Sequence, residues 1–287
     1  MPFPTVAVVG VGLIGGSFAL ALKRSGFKGR ILGISSPSSI EKGLKYRVID
    51  EGVGLEDGLA RADLVYLAQP ILRIIAQIPE VARLAKPGAL ITDAGSTKAA
   101  IVARAAESFG PETLFLGGHP MAGKEGRGVE IAEAELFEGA TYVLTPRDAA
   151  EADDPRTKEF IGLVEAIGAR PMTLAPDEHD RVTAWTSHMP QLVSTALAAR
   201  VGAAVADDRR LSVAGGGLRD MTRLAGSSYD IWEGILKTNG EAIRNALDGL
   251  IDELSSFRDE IAKKELKSRF AEAQILHKKI PRKRFVG

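Results

Sequence analysis

The chain holds 287 residues with 37 basic and 37 acidic side chains, 45% hydrophobic residues and no cysteine. That length and apolar content suffice for one large or two moderate domains with a real core, while the missing cysteines exclude disulfides and thiol chemistry. Balanced charge argues against a nucleic-acid-binding surface over the whole chain. With neither a signal-peptide pattern nor a bilayer-length apolar run, a cytoplasmic protein without membrane association is expected.

Along the first part of the chain, short apolar runs alternate with helical patterns. TVAVVG (5–10), RILGIS (30–35), DLVYLAQ (63–69), ALITDAG (89–95), TLFLGG (113–118), TYVLTP (141–146) and RPMTLAP (170–176) read as buried strands. They are rich in Val, Ile and Leu, and most end in Gly, Pro or a small polar residue. Segments 13–25, 73–86 and 97–109 between them have the apolar spacing of helices packed on a sheet. This alternation predicts an α/β fold with a mostly parallel, doubly wound sheet of the Rossmann type.

The first strand runs into VVGVGLIGGS, which sets Gly10, Gly12 and Gly15 in a G-x-G-x-x-G pattern, with Leu13 and Ile14 opening the helix. In that context the motif signals a dinucleotide site. Gly10 permits the tight turn, Gly12 lets the backbone approach a pyrophosphate, and Gly15 lets helix and strand pack closely. The helix N-terminus then offers unpaired N–H groups to the phosphates. At the end of the second strand, where an acid normally takes the ribose hydroxyls, stand Ser35 and Ser36, with Lys42 the nearest cation. Loss of the acid makes NADP tolerable, while a serine turn also suits NAD, so the cofactor is NAD or NADP.

Further on, GGHPMAGKEGRG (117–128) follows the strand at 113–118 and reads as a glycine-rich loop carrying His119. After Pro176 the texture becomes helical, with Asp177 able to cap the first helix. A proline at 190 deprives the carbonyl of Thr186 of its helical partner, so a kink is expected near His188. The glycines at 215–217 break the pattern again. The stretch 230–278 reads as long amphipathic helices with Ile231, Ile235, Ala242, Leu247, Leu250, Ile251 and Leu254 on one face. The basic tail HKKIPRKRFVG reads as a solvated terminus. These signals give a dinucleotide-binding domain over 1–176 and a helical domain over 177–287, and no acid or histidine cluster has metal-ligand spacing.

Taken in order, GVGLIGGS, DAGSTK (93–98), GGHPMAGKE (117–125), EHDRVTAWTSHMP (178–190) and GLRDMTRLAGSSYDIW (217–232) resemble the prephenate and arogenate dehydrogenases of tyrosine biosynthesis. The resemblance spans nearly the whole chain. It implies a dinucleotide-binding domain followed by an all-α dimerisation domain, an active site between them, and a homodimer. The implied reaction is oxidative decarboxylation of prephenate to 4-hydroxyphenylpyruvate, or of arogenate to tyrosine, with hydride transfer to the dinucleotide. Side-chain recognition of a keto or an amino group decides between the two substrates, and both stay open. Little chain lies before Val6 or after the helical domain, so no appended regulatory or mutase module is expected, and any tyrosine feedback is expected to act at the active site.

For that chemistry His119 is the base, since a histidine near its ordinary pKa of about 6.5 is receptive at neutral pH. By the resemblance Ser96 hydrogen-bonds both His119 and the substrate hydroxyl, Glu125 orders the loop, and His188 binds substrate. Prephenate's carboxylates call for a guanidinium fork, assigned to Arg223, with Asp220 one helical turn before it and Arg219 as a second candidate. Lys98 at a helix start reads more readily as solvated, and His179 as helix-start structure. Gln191 replaces the second histidine of the commoner SHLPH. Trp232 packs behind the arginine turn. Two other readings are a hydroxyacid-type dehydrogenase and a non-catalytic dinucleotide sensor. The first wants a lysine that 183–200 lacks, and the second needs none of Ser96, His119, His188 and Arg223.

Overall fold

The computed structural model describes residues 3–205, 207–263 and 266–280; the end of the basic tail, 281–287, lies outside the described residues. Eight strands form one sheet: β1 (Thr5–Val9), β2 (Arg30–Ile34), β3 (Glu51–Gly52), β4 (Leu64–Leu67), β5 (Leu90–Asp93), β6 (Leu114–Pro120), β7 (Thr141–Thr145) and β8 (Arg170–Thr173). Their order is β3-β2-β1-β4-β5-β6-β7-β8. Pairing is parallel from β3 to β6, so the strand order reverses beside β1, the arrangement of a doubly wound sheet. The apolar pattern predicts every strand but β3. Only two residues long, it pairs through Leu32↔Glu51 and Gly33↔Gly52 and carries no hydrophobic run to announce it.

The mostly parallel sheet has one antiparallel pair. β6 pairs with β5 through Leu114, Phe115 and Leu116, then continues against β7 with Gly117↔Thr145, Gly118↔Leu144, His119↔Val143 and Pro120↔Tyr142. His119 therefore sits in a strand, not in the loop expected from its glycines. The glycines are small because of packing. A Cβ on Gly117 would stand 2.3 Å from Thr145 Oγ1, and one on Gly118 would stand 2.7 Å from the Asp93 carbonyl oxygen.

Helices α1 (Leu13–Arg24), α2 (Pro37–Lys45), α3 (Leu55–Arg61), α4 (Ile71–Leu84), α5 (Ala99–Ser108), α6 (Ala149–Asp153) and α7 (Pro155–Ala166) connect the strands. The helix–sheet interface is closely packed: the Phe18 ring of α1 stacks on Tyr66 of β4 at 3.9 Å between centroids, and Phe160 of α7 meets Tyr142 edge-on. Each such buried aromatic or aliphatic side chain contributes on the order of 1.5–3 kcal/mol.

The remaining helices are α8 (Pro176–Thr183), α9 (Met189–Ala204), α10 (Asp208–Leu211), α11 (Gly216–Thr222), α12 (Tyr229–Thr238), α13 (Gly240–Lys263) and α14 (Lys267–Lys279). Between α8 and α9 the backbone makes a π-helical turn, Ala184–His188. The expected kink takes this form because Pro190 has no N–H to continue the regular ladder.

By packing, the chain divides into two compact units, Met1–Thr183 with Gly226–Asn239, and Ala184–Ala225 with Gly240–Gly287. The first unit thus reaches beyond the end of β8 and takes in α8 and α12. Polar contacts explain this. The Asp180 carboxylate accepts from the backbone N–H groups of Lys98 and Ala99, and Asn239 Nδ2 donates to the Asp180 carbonyl at 2.8 Å. The hydroxyls of Thr97 and Thr238 meet at 2.7 Å. The described residues of the second unit hold helices joined by short turns and no strand. Within it the Trp185 ring lies against Gly249 of α13, where a Cβ would stand 2.9 Å from it. Among the described residues no helix is long and apolar enough to cross a membrane.

Candidate active site

The glycine turn after β1 has the geometry its spacing predicts. Gly10 adopts φ +101°, and a Cβ there would lie 2.5 Å from the Ala68 carbonyl oxygen. At Gly15 a Cβ would lie 2.2 Å from the Gly10 oxygen, so this glycine is needed for α1 to approach the turn. Gly12 differs: nothing lies within 4 Å of its Cβ position, so its bare backbone faces open space at the start of α1. No side chain caps α1 and its first turn holds no acid, which leaves its N–H groups and positive end for an anion.

Next to this turn lies a cavity of about 500 Å³, lined among others by Ile14, Gln69, Gly95, Ser96, Arg127 and Asp230. Gln69 Oε1 is buried and has no hydrogen-bond partner among the described residues. A glycine cradle, a helix N-terminus and an orphaned amide oxygen fit a dinucleotide: phosphates at the cradle, and a donor-bearing ring system in the cavity. Leu13 begins α1 beside Ile14 and is half-buried. Ser35 and Ser36 are exposed after β2. Ser36 caps α2 by accepting from Ser39 N–H. Lys42 is paired with Glu130, a hydrogen bond that pushes its ammonium above the usual lysine range.

The other chemistry-bearing group is built around His119, which is 9% exposed. Its Nδ1 lies 2.8 Å from Nε2 of His179, and the Nδ1 of His179 lies 2.7 Å from Asp180 Oδ1. That carboxylate also accepts from Lys98 N–H at 2.7 Å and Ala99 N–H at 3.0 Å, and so caps α5, which has no capping side chain or acid of its own. The sequence assigns His179 only a structural place at a helix start. It is fully buried and touches the candidate base instead.

Lys98 departs further from its expected solvated place. It is completely buried, pairs with Asp93, and donates to the Gly118 carbonyl at 2.6 Å, one residue before His119. Burial draws its ammonium below the usual lysine value, and Asp93 opposes that pull. Asp93 also accepts from Gly95 N–H at 2.8 Å and Gly118 N–H at 3.1 Å, which ties the end of β5 to β6. Ser96 sits between these anchors, half-buried on the β5–α5 turn and lining the cavity.

After β6, Glu125 is exposed in a loop where Lys124 pairs with Glu133. Arg127 in the same loop donates to Ser228 Oγ at 2.8 Å and Asp230 Oδ2 at 3.1 Å. The sequence reading passes over Arg127, since a lone arginine among glycines carries no motif. Trp232 donates through Nε1 to Ser227 Oγ at 2.9 Å.

In the second unit His188 is buried, closing the π turn. Three residues on, Gln191 donates to the Leu224 carbonyl at 2.7 Å. Asp220 and Arg223 are exposed, and among the described residues they form no ion pair with one another despite their i, i+3 spacing. Arg219, on the same helix, lines a separate shallow depression with Leu211 and Leu218.

Comparison with known proteins agrees with this architecture. Residues 18–173 match the family described as prephenate dehydrogenase, nucleotide-binding domain, and residues 175–274 match prephenate dehydrogenase, dimerization domain. A prephenate dehydrogenase of Bacillus subtilis is 34% identical over 274 residues, covering 93% of this chain and 72% of that protein. Among solved structures, a prephenate dehydrogenase from Aquifex aeolicus, crystallised with hydroxyphenyl propionate and NAD+, superposes with a TM-score of 0.88 at 34% identity. The match covers 96% of this chain and 98% of that one. The arogenate dehydrogenase of Synechocystis superposes at a TM-score of 0.80 with 28% identity, covering 96% and 98% of the two chains. With both of its halves matched and relatives aligned along nearly its full length, the chain belongs to the prephenate dehydrogenase family.

Proposed function

We propose that the protein oxidatively decarboxylates prephenate or arogenate, using NAD or NADP held at the glycine turn. The observation that carries this reading is the buried His119, fixed by side-chain hydrogen bonding at the carboxyl end of β6, in the same unit as the Gly12 cradle. Ligands of open parallel sheets bind at that end. When bound, the dinucleotide supplies the hydride acceptor. His119 takes the proton of the ring hydroxyl as the carbon bearing it gives up hydride. The bond to the ring carboxylate then breaks, carbon dioxide departs, and its electron pair completes the aromatic ring, whose oxygen recovers the proton. Ser96 orients the hydroxyl, Glu125 orders the loop, and His188 and Arg223, with Asp220 beside it, bind the substrate.

In the domain assignment we propose, residues 1–176 bind the dinucleotide and residues 177–287 bind substrate and form a homodimer. The protein works in the cytoplasm, without nucleic acid or membrane. Purified protein supplied with prephenate and with arogenate, each with NAD and with NADP, tests the activity. Absorbance at the reduced nicotinamide band should rise with release of carbon dioxide for at least one pairing. Absence of both signals in all four pairings would refute the function.

A further inference from the structure

We propose that His179, held by Asp180, is a positioning residue that fixes His119 in the tautomer with its proton on Nδ1 and its lone pair on Nε2. The argument starts at the carboxylate. Asp180 Oδ1 and Oδ2 receive the backbone N–H groups of Lys98 and Ala99 at the N-terminus of α5, where helix polarity also favours a negative charge. A carboxylate held by such donors acts as an acceptor, so the His179 nitrogen 2.7 Å from Oδ1 is the one that carries hydrogen. In a neutral imidazole the other nitrogen, Nε2, is then an acceptor. That atom faces His119 Nδ1 at 2.8 Å, so Nδ1 donates. His119 is left with its basic lone pair on Nε2.

The arrangement does more than orient a ring. When His119 gains a proton, its Nδ1–H already points at a nitrogen whose electron density is raised by the Asp180 carboxylate behind it. The positive charge is thereby stabilised along a His–His–Asp line, in the way that a buried carboxylate supports a histidine base. Other titratable groups packed about the line are the Lys98–Asp93 pair on the β5–α5 turn and Tyr142 of β7, whose ring closes on Gly118. Asn239 holds the Asp180 backbone from the end of α12. All of these residues belong to one compact unit.

The inference rests on His119 being the base, but its first test does not require turnover. The chain has four histidines, so nitrogen-15 spectra of the labelled protein can be assigned by single substitutions. The neutral form of His119 should show a protonated Nδ1 and an unprotonated Nε2; the opposite pattern overturns the proposal whether or not the enzyme turns over. If the activity assay fails while this pattern holds, the function is wrong and the tautomer assignment stands. In the active enzyme, His179→Leu should lower kcat by about tenfold or more with KM nearly unchanged. The acid limb of the kcat profile should move to lower pH, because the protonated base loses its acceptor. His179→Gln, whose Oε1 can accept from Nδ1, should recover part of kcat. Unchanged kcat and pH limb in folded His179→Leu would also overturn it.

Discussion

At the scale of single residues, the assignments separate proton transfer from charge recognition. Replacing His119 by Asn removes the proposed base but leaves the glycine turn intact. kcat should fall by about 10²–10⁴-fold, with cofactor affinity, read by fluorescence titration, nearly unchanged. Arg223→Ala should instead chiefly raise KM for the substrate, since in the proposed role its guanidinium binds ground state and transition state alike. Equal KM values in mutant and parent would contradict that role. Lys98 and Asp93 make a different case, since both are wholly buried and opposite in charge. Removing one partner strands the other in the interior. Lys98→Met and Asp93→Asn should each cost about 3–5 kcal/mol in denaturant unfolding. The double substitution should cost clearly less than the sum. His119 and Ser96 were legible at this scale as candidates, His119 from the proton the reaction must lose and Ser96 from the resemblance. Lys98 and His179 were not, because burial is a property of what surrounds a residue, and a lysine or histidine at a helix start looks solvent-facing until the neighbouring strand is placed.

At the scale of elements, the β1–turn–α1 unit offers a direct comparison of its glycines. Gly15 is pressed against the Gly10 carbonyl, whereas Gly12 meets nothing. Gly15→Ala should therefore destabilise the fold by about 1–3 kcal/mol, as overpacking does. Gly12→Ala should leave the melting temperature almost unchanged and weaken dinucleotide binding by about tenfold or more, a loss of about 1.4 kcal/mol or greater. A second element-level consequence lies where α1 and α7 cover the sheet. Tyr66 and Tyr142 are buried beneath Phe18 and Phe160, and burial pushes both phenols well above the ordinary value near 10. A group with a raised folded pKa stabilises the fold fully below its unfolded value. That contribution is lost as pH climbs past it, so stability should decline above about pH 10. Absorbance at 295 nm should show fewer ionised tyrosines in the native protein than the four present, with the remainder appearing together at alkaline unfolding. The strands were readable from apolar runs, but the extent of β6 was not. The apolar run ends at Gly118, and His119 and Pro120 extend the strand only because β7 pairs with them.

At the scale of the whole molecule, the helical unit keeps apolar side chains outward that a single chain does not cover. Ile251, Leu254, Phe270 and Ile275 are each more than half exposed, at 57%, 58%, 63% and 57%. Residues 175–274 match a dimerization domain, and exposed apolar groups on its long helices suit burial against a second copy. Sedimentation should give twice the chain mass. Leu254→Glu combined with Ile275→Glu should shift the protein toward monomer; a monomeric parent, or a double variant that remains dimeric, would remove the assignment.

The linear order of residues by itself determined the fold class and the site of the glycine turn, and it offered His119 and Ser96 as candidates. Strand periodicity, turn chemistry and short motifs are local, so they survive without knowledge of neighbours. The tertiary structure decided what stands behind each group. It placed Lys98 in the interior, ran His119 into a strand, drew α8 and α12 into the first unit, and set Asp180 and His179 behind His119. Those facts depend on contacts between residues apart in sequence, from His119 against Val143 of β7 to hydrogen bonds 60 and more positions long, such as His119 to His179 and Lys98 to Asp180, which no local pattern can encode.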